Sequence, residues 1–121
     1  MEDISFTYKL LPLRIVKGKD NTLDIIVKVE NRSDKEKLVS IEALIKSPGI
    51  LGFDPTLSNK KAIAKLGLIK PLSKKEVPIR VYASPNTESK NYEIELYLIE
   101  HFQDYTKVMH AYKRKIDVMV V

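Results

Sequence analysis

TLDIIVKVENRSDKEKLVSIEALI, residues 22–45, is the stretch that decides the fold. Leu23, Ile25, Val27 and Val29 share one face of an alternating run, and Val39, Ile41, Ala43 and Ile45 share one face of a second. The intervening ENRSDKEK has nothing to bury. A period of two on both sides of a polar break spells a half-buried strand, a turn and a second half-buried strand.

The same theme extends outward in both directions. Ile4, Phe6, Tyr8 and Leu10 alternate until Pro12, and Leu13, Ile15 and Val16 follow. Proline cannot donate to a ladder, so this first strand is expected to kink at Pro12 and to pass from one sheet to another. Ile63, Leu66, Leu68 and Ile69 predict a short strand, with Gly67 marking a bulge or a close backbone approach. Val77, Ile79, Val81 and Ala83 predict another, and Pro78 points to an edge position. Tyr92, Ile94, Leu96 and Leu98 form a clear alternating face, with Glu93 and Glu95 expected on a solvated opposite face. In the last run, Arg114 interrupts an apolar series from Val108 to Val120, which predicts a strand half in the core and half at a rim. Turn chemistry every eight to fifteen residues, and no convincing helical period, read as an antiparallel sandwich or barrel.

Three segments carry a resemblance. VKVENRSDKEK (27–37) looks like a strand ending in Asn before a polar hairpin; SKKEVPIRVYA (73–83) looks like a late strand after a polar turn. NYEIELYL (91–98) looks like the next strand, whose early Tyr92 suits a tyrosine-corner role. Together they resemble the immunoglobulin-like sandwich modules of archaeal and bacterial proteins, of the cell-adhesion-related accessory type. The resemblance implies a non-catalytic module. The expected architecture is therefore an all-β, immunoglobulin-like antiparallel β-sandwich of about seven strands, a single domain over residues 1–121.

Composition narrows the chemistry. The 121 residues are 44% hydrophobic and 31% charged, which suits a folded globular domain. Cysteine is absent, which removes disulfides and thiolate chemistry. Lysine is abundant and Gln103 is the single glutamine, a bias that points to a thermophilic source. Neither a basic, apolar leader after Met1-Glu2-Asp3 nor a run long enough to span a bilayer is present, so a cytoplasmic address is expected for the chain as given.

No cofactor is expected, and no enzyme. His101 and His110, with Asp104 between them, are too few for a metal site, so none is expected. Ser-Pro-Gly-Ile-Leu-Gly (47–52) lacks the lysine and helix of a phosphate loop. No serine stands on a recognisable nucleophile elbow. The net charge of +5 falls in the second half, where Lys60, Lys61, Lys65, Lys70, Lys74 and Lys75 crowd one segment and Lys113, Arg114 and Lys115 another. These nine residues are the candidate surface of an alternative, nucleic-acid-binding reading.

The preferred reading is a protein-interaction or assembly module, binding a protein partner or a second copy of itself. Its candidate contact residues are Ile50, Leu51, Phe53 and Leu57. These four large apolar side chains lie in an irregular segment beside Gly52 and Pro55, and must either close the core or meet a partner. The run Ile116–Val121, apolar on both faces, is a second candidate for association.

Overall fold

The computed structural model describes residues 3–121; Met1 and Glu2, on which the expected N-terminal reading partly rests, lie outside them. Eight strands follow one another: β1 Ile4–Leu11, β2 Thr22–Asn31, β3 Lys37–Ile45, β4 Leu51–Gly52, β5 Lys61–Ile69, β6 Lys74–Ala83, β7 Asn91–His101 and β8 Val108–Met119. They form two four-stranded sheets, β1-β2-β6-β4 and β5-β3-β7-β8, and every pairing between them is antiparallel. The all-β sandwich read from the alternation is the fold. The strand beyond the expected seven is β4, only two residues long.

The faces are those set by the alternation. Leu23, Ile25, Val27 and Val29 of β2 oppose Val39, Ile41 and Ala43 of β3 and Tyr92, Ile94, Leu96 and Leu98 of β7, and all are buried in one core. Burying each Val, Leu or Ile side chain among them contributes about 1.5–3 kcal/mol relative to leaving it in water.

The chain changes sheet after Pro12. β1 pairs with β2, but Ile15 forms a parallel bridge to Val120, and the Ile15 amide donates to the Met119 carbonyl at 2.9 Å. The apolar C-terminal run is thereby covered along part of its edge, and Ile116, Val118 and Val120 enter the core. Upstream of them β8 is exposed from Val108 to Ala111, and Arg114 lies over the Phe6 ring at 4.9 Å, where it shields the core rim. At Gly67 the β3–β5 register slips: Val39 faces Gly67 whereas Ser40 faces Lys65. Leu66 is the extra residue of the bulge.

Two buried polar residues tie turns to strands. The Asn31 side-chain amide donates to the carbonyls of Lys35 and Ile69, at 2.7 and 2.9 Å, while its oxygen accepts from the Ser33 amide and hydroxyl. Every polar atom of that side chain is therefore used, as burial demands. The Tyr92 hydroxyl donates to the Glu88 carbonyl at 2.8 Å, four residues upstream. That is the arrangement the tyrosine-corner resemblance implied for this position.

Candidate functional site

The segment 46–60 is a specified loop. Asp54 organises it by accepting from the hydroxyls of Thr56 and Ser58 and from the Asn59 amide. These bonds, led by the Thr56 hydroxyl, hold its carboxyl below the ordinary range. The Lys60 ammonium reaches back to the Gly49 and Leu51 carbonyls, and the Thr87 hydroxyl donates to the Ile50 carbonyl at 2.6 Å. Gly52 runs beneath the Leu57 backbone, where an added Cβ would lie 2.6 Å from the Leu57 Cα. Of the four candidate contact residues, Leu51 is wholly in the core and Phe53 packs against it. Leu57 is half-buried, and Ile50 presents 45% of its surface to solvent.

Most of the basic residues singled out have partners. Lys61 pairs with Glu42 at 2.9 Å, Lys113 with Glu95 at 2.7 Å, and Lys74 with Glu30 at 4.0 Å. Lys75 caps the Leu66 carbonyl, and Lys65 lies over the Tyr105 ring at 5.1 Å. Lys70 is exposed in the β5–β6 turn, and Lys115 is exposed on β8 opposite Glu95. Glu95 itself departs from the solvated face expected for it. It is buried beneath Lys113 and accepts from the Tyr97 hydroxyl at 2.9 Å. Those two bonds, Lys113 first, hold its carboxyl below the ordinary value.

The other end of the sandwich carries a surface that no sequence motif announced. The β2–β3 turn and the β7–β8 turn flank a groove of about 400 Å³. Three of its lining residues are exposed apolar side chains: Leu68 at 58%, Phe102 at 53% and Met109 at 47%. The exposed Lys35 and Glu36 supply a charged rim, and half-buried Lys37 pairs with buried Glu100 at 3.2 Å. Beside it, on the outer face of β5-β3-β7-β8, lies a pocket of about 320 Å³. Its walls include Ile63, Ile99, Val108, Lys65 and Tyr105, and it reaches Ser40 and His101. The Ser40 hydroxyl meets His101 Nε2 at 2.6 Å.

Comparison with known proteins locates this architecture. No family model matches the chain, and no curated protein does. Among solved structures, native alpha-2-macroglobulin from Escherichia coli, spanning domain MG7 to the C-terminus, superposes with a TM-score of 0.61 at 17% identity, over 97% of this chain and 16% of that one. A FixG-related protein from Vibrio parahaemolyticus matches with a TM-score of 0.56 at 9% identity, over 99% and 98% of the two chains. AvmM, which catalyses macrocyclization in alchivemycin A biosynthesis, matches with a TM-score of 0.56 at 8% identity, over 97% and 89%. The likeness is one of fold. The chain spans about a sixth of the macroglobulin segment it matches. A β-sandwich of this shape thus serves as one domain of a large protein or as nearly a whole chain, and the shape alone assigns neither binding nor catalysis.

The groove and the pocket escaped sequence reading because their residues are scattered. Ser40 and His101 are 61 positions apart, and Leu68, Phe102 and Met109 come from three segments. The available signal was the pair of aromatics Phe102 and Tyr105 in an otherwise polar turn. His101 and His110 do not converge: His101 turns to Ser40, while His110 sits beside Tyr112 with ring centroids 6.3 Å apart. Among the described residues no cluster of three metal-ligating side chains occurs, and no helix is long and apolar enough to cross a membrane.

Proposed function

We propose that this chain is a protein-interaction or assembly module of the immunoglobulin-like type. The type is supported by strands 1-2-6 on one sheet facing 3-7-8 on the other, and by the Tyr92–Glu88 corner. The interaction role is carried by one observation: Leu68, Phe102 and Met109 stand exposed around a single groove with a charged rim. A rigid aromatic anchor flanked by a flexible thioether, ringed by charge, is the composition of a protein contact rather than of an ordinary solvated turn. The loop from Ile50 to Leu57 offers a second contact, in which Leu51 anchors the segment while Ile50, Phe53 and Leu57 are reachable.

The experiment compares the wild-type chain with Phe102→Ser/Met109→Ser and with Ile50→Ser. Each is followed by sedimentation across a concentration range, and each is used to capture proteins from the source cells. The wild type is expected to self-associate or retain a discrete protein. The double variant is expected to lose that association at an unchanged melting temperature. A wild type that stays monomeric and retains nothing, or a double variant that associates as before, would overturn the assignment of the groove. Loss confined to Ile50→Ser would move the contact to the 50–57 loop.

A further inference from the structure

We propose that Ser40 and His101 form an activated nucleophile–base pair that accepts the acyl group of small carboxylic esters. This goes beyond the association reading and rests on a different feature, the pocket on the outer sheet face. Three relations are needed for such a pair: a nucleophile bonded to a base, a base held by a third group, and room for a reacting carbonyl. The Ser40 hydroxyl and His101 Nε2 are 2.6 Å apart. His101 Nδ1 is 3.2 Å from the Lys107 carbonyl oxygen. A carbonyl only accepts, so Nδ1 carries the proton of the neutral ring and Nε2 is left to accept from Ser40. The backbone of the β7–β8 turn thereby fixes the tautomer, the task a carboxylate performs in a catalytic triad.

The surroundings suit a small acyl group. Ile63, Ile99 and Val108 give apolar walls, and about 320 Å³ is room for a few heavy atoms beyond the carbonyl. Lys65 is the register partner of Ser40 and the cation lining the pocket. It rests over the Tyr105 ring, which is itself fixed by accepting the Gly67 amide proton at 2.8 Å and by meeting the His101 ring edge-on at 5.1 Å. Glu42, the carboxylate at the pocket rim, is bound to Lys61. Lys65 is thus the cation that shares this pocket with Ser40 and from which an oxyanion formed there would draw electrostatic support.

In the step itself, Ser40 Oγ bonds to the ester carbonyl carbon and its proton passes to His101 Nε2. The carbon–oxygen bond to the alcohol then breaks, and that proton leaves with the alcohol, giving acyl-Ser40. Water repeats the sequence on the acyl-enzyme, releasing a carboxylic acid and restoring the serine. A fluorophosphonate follows the first half alone: the phosphorus–fluorine bond breaks, fluoride and the serine proton leave, and phosphonyl-Ser40 remains.

The test treats the full chain with a fluorophosphonate probe and, separately, with p-nitrophenyl acetate. The wild type is expected to take up one phosphonyl group per chain, mapped to Ser40 by peptide mass. Ser40→Ala should take up none. His101→Gln should react more slowly by on the order of 10²–10⁴-fold, the usual contribution of a positioned base. Matched melting curves show that the fold is retained. Ser40→Ala deletes only a hydroxyl, so the test survives if His101→Gln fails to fold. No phosphonylation of the wild type, uptake at another residue, or a folded His101→Gln as reactive as the wild type would each reduce the pair to a structural hydrogen bond. Phe102→Ser/Met109→Ser should react as the wild type does, which separates this outcome from that of the association experiment.

Discussion

Single residues show where alternation suffices and where it does not. Tyr92 was legible, because its place at the start of an apolar alternating strand gave its burial, and the resemblance to immunoglobulin-like modules implied its corner role. Gly49 was not, since its reason is a neighbour 43 positions away. It holds φ at +153°, and a Cβ there would lie 2.4 Å from Tyr92 Cε1. Gly49→Ala should therefore cost roughly 1–3 kcal/mol or more through overpacking. Tyr92→Phe, which loses only the bond to Glu88, should cost about 1 kcal/mol. Urea midpoints at constant slope measure both, and a Gly49→Ala variant as stable as the wild type would contradict the close approach. Glu95 was misread for a related reason. Alternation assigns it to the outer face but says nothing of Lys113 and Tyr97, which come over it from the same face. Its folded carboxyl titrates below the unfolded value, so its ionised form favours the folded state. That contribution is fully present above the unfolded value and is lost as pH falls through the lowered one. The stability difference between the wild type and Glu95→Gln should accordingly be constant near neutrality and shrink in acid. A difference that grows in acid would mean that the Lys113 pairing is absent in solution.

Elements were legible in proportion to their length. The long strands announce themselves by period, and Pro12, which has no amide proton to give a ladder, marks where the chain changes sheet. β4 has no period to display, since two residues cannot alternate. Its place is set by the loop after it, where Asp54 caps the turn and Lys60 clamps the carbonyls. Within this one loop adjacent residues should behave oppositely. Leu51→Ala removes a fully buried side chain and should cost roughly 2–5 kcal/mol, as should Leu96→Ala in β7. Ile50→Ser, at an exposed position, should cost under about 0.5 kcal/mol. Thermal or denaturant unfolding separates them, and comparable losses would mean that Ile50 is also a lid on the core. The β8 edge follows a different logic. Lys113, Arg114 and Lys115 stand in the middle of a long edge strand, where charge discourages pairing with another chain's edge. Arg114→Val/Lys115→Val should promote aggregation, read by light scattering on heating.

At the scale of the molecule, the net charge of +5 is less informative than its placement. Sequence reading located a basic half, and on composition alone a nucleic-acid surface followed as the alternative. The fold disperses that half over several surfaces. On the outer face of β5-β3-β7-β8, Lys61, Lys65, Lys113 and Lys115 alternate with Glu42, Glu93, Glu95 and Asp117. Tyr97 and Tyr105 do stand on this face beside lysines, at 5.9 and 5.1 Å, which is the combination a base-stacking platform uses. The lysines there are matched by as many carboxylates, and two of the four are directly ion-paired. A polyanion laid on this sheet would displace Glu42 and Glu95 from their partners before gaining phosphate contacts of its own. Few phosphates would be neutralised on binding, so the affinity should be weak even at low salt. Fluorescence anisotropy with a labelled single strand should detect binding only at low salt, gone near physiological ionic strength. Tight binding that survives about 200 mM salt would require a cationic surface that this charge pattern lacks, and would favour nucleic acid over a protein as the partner.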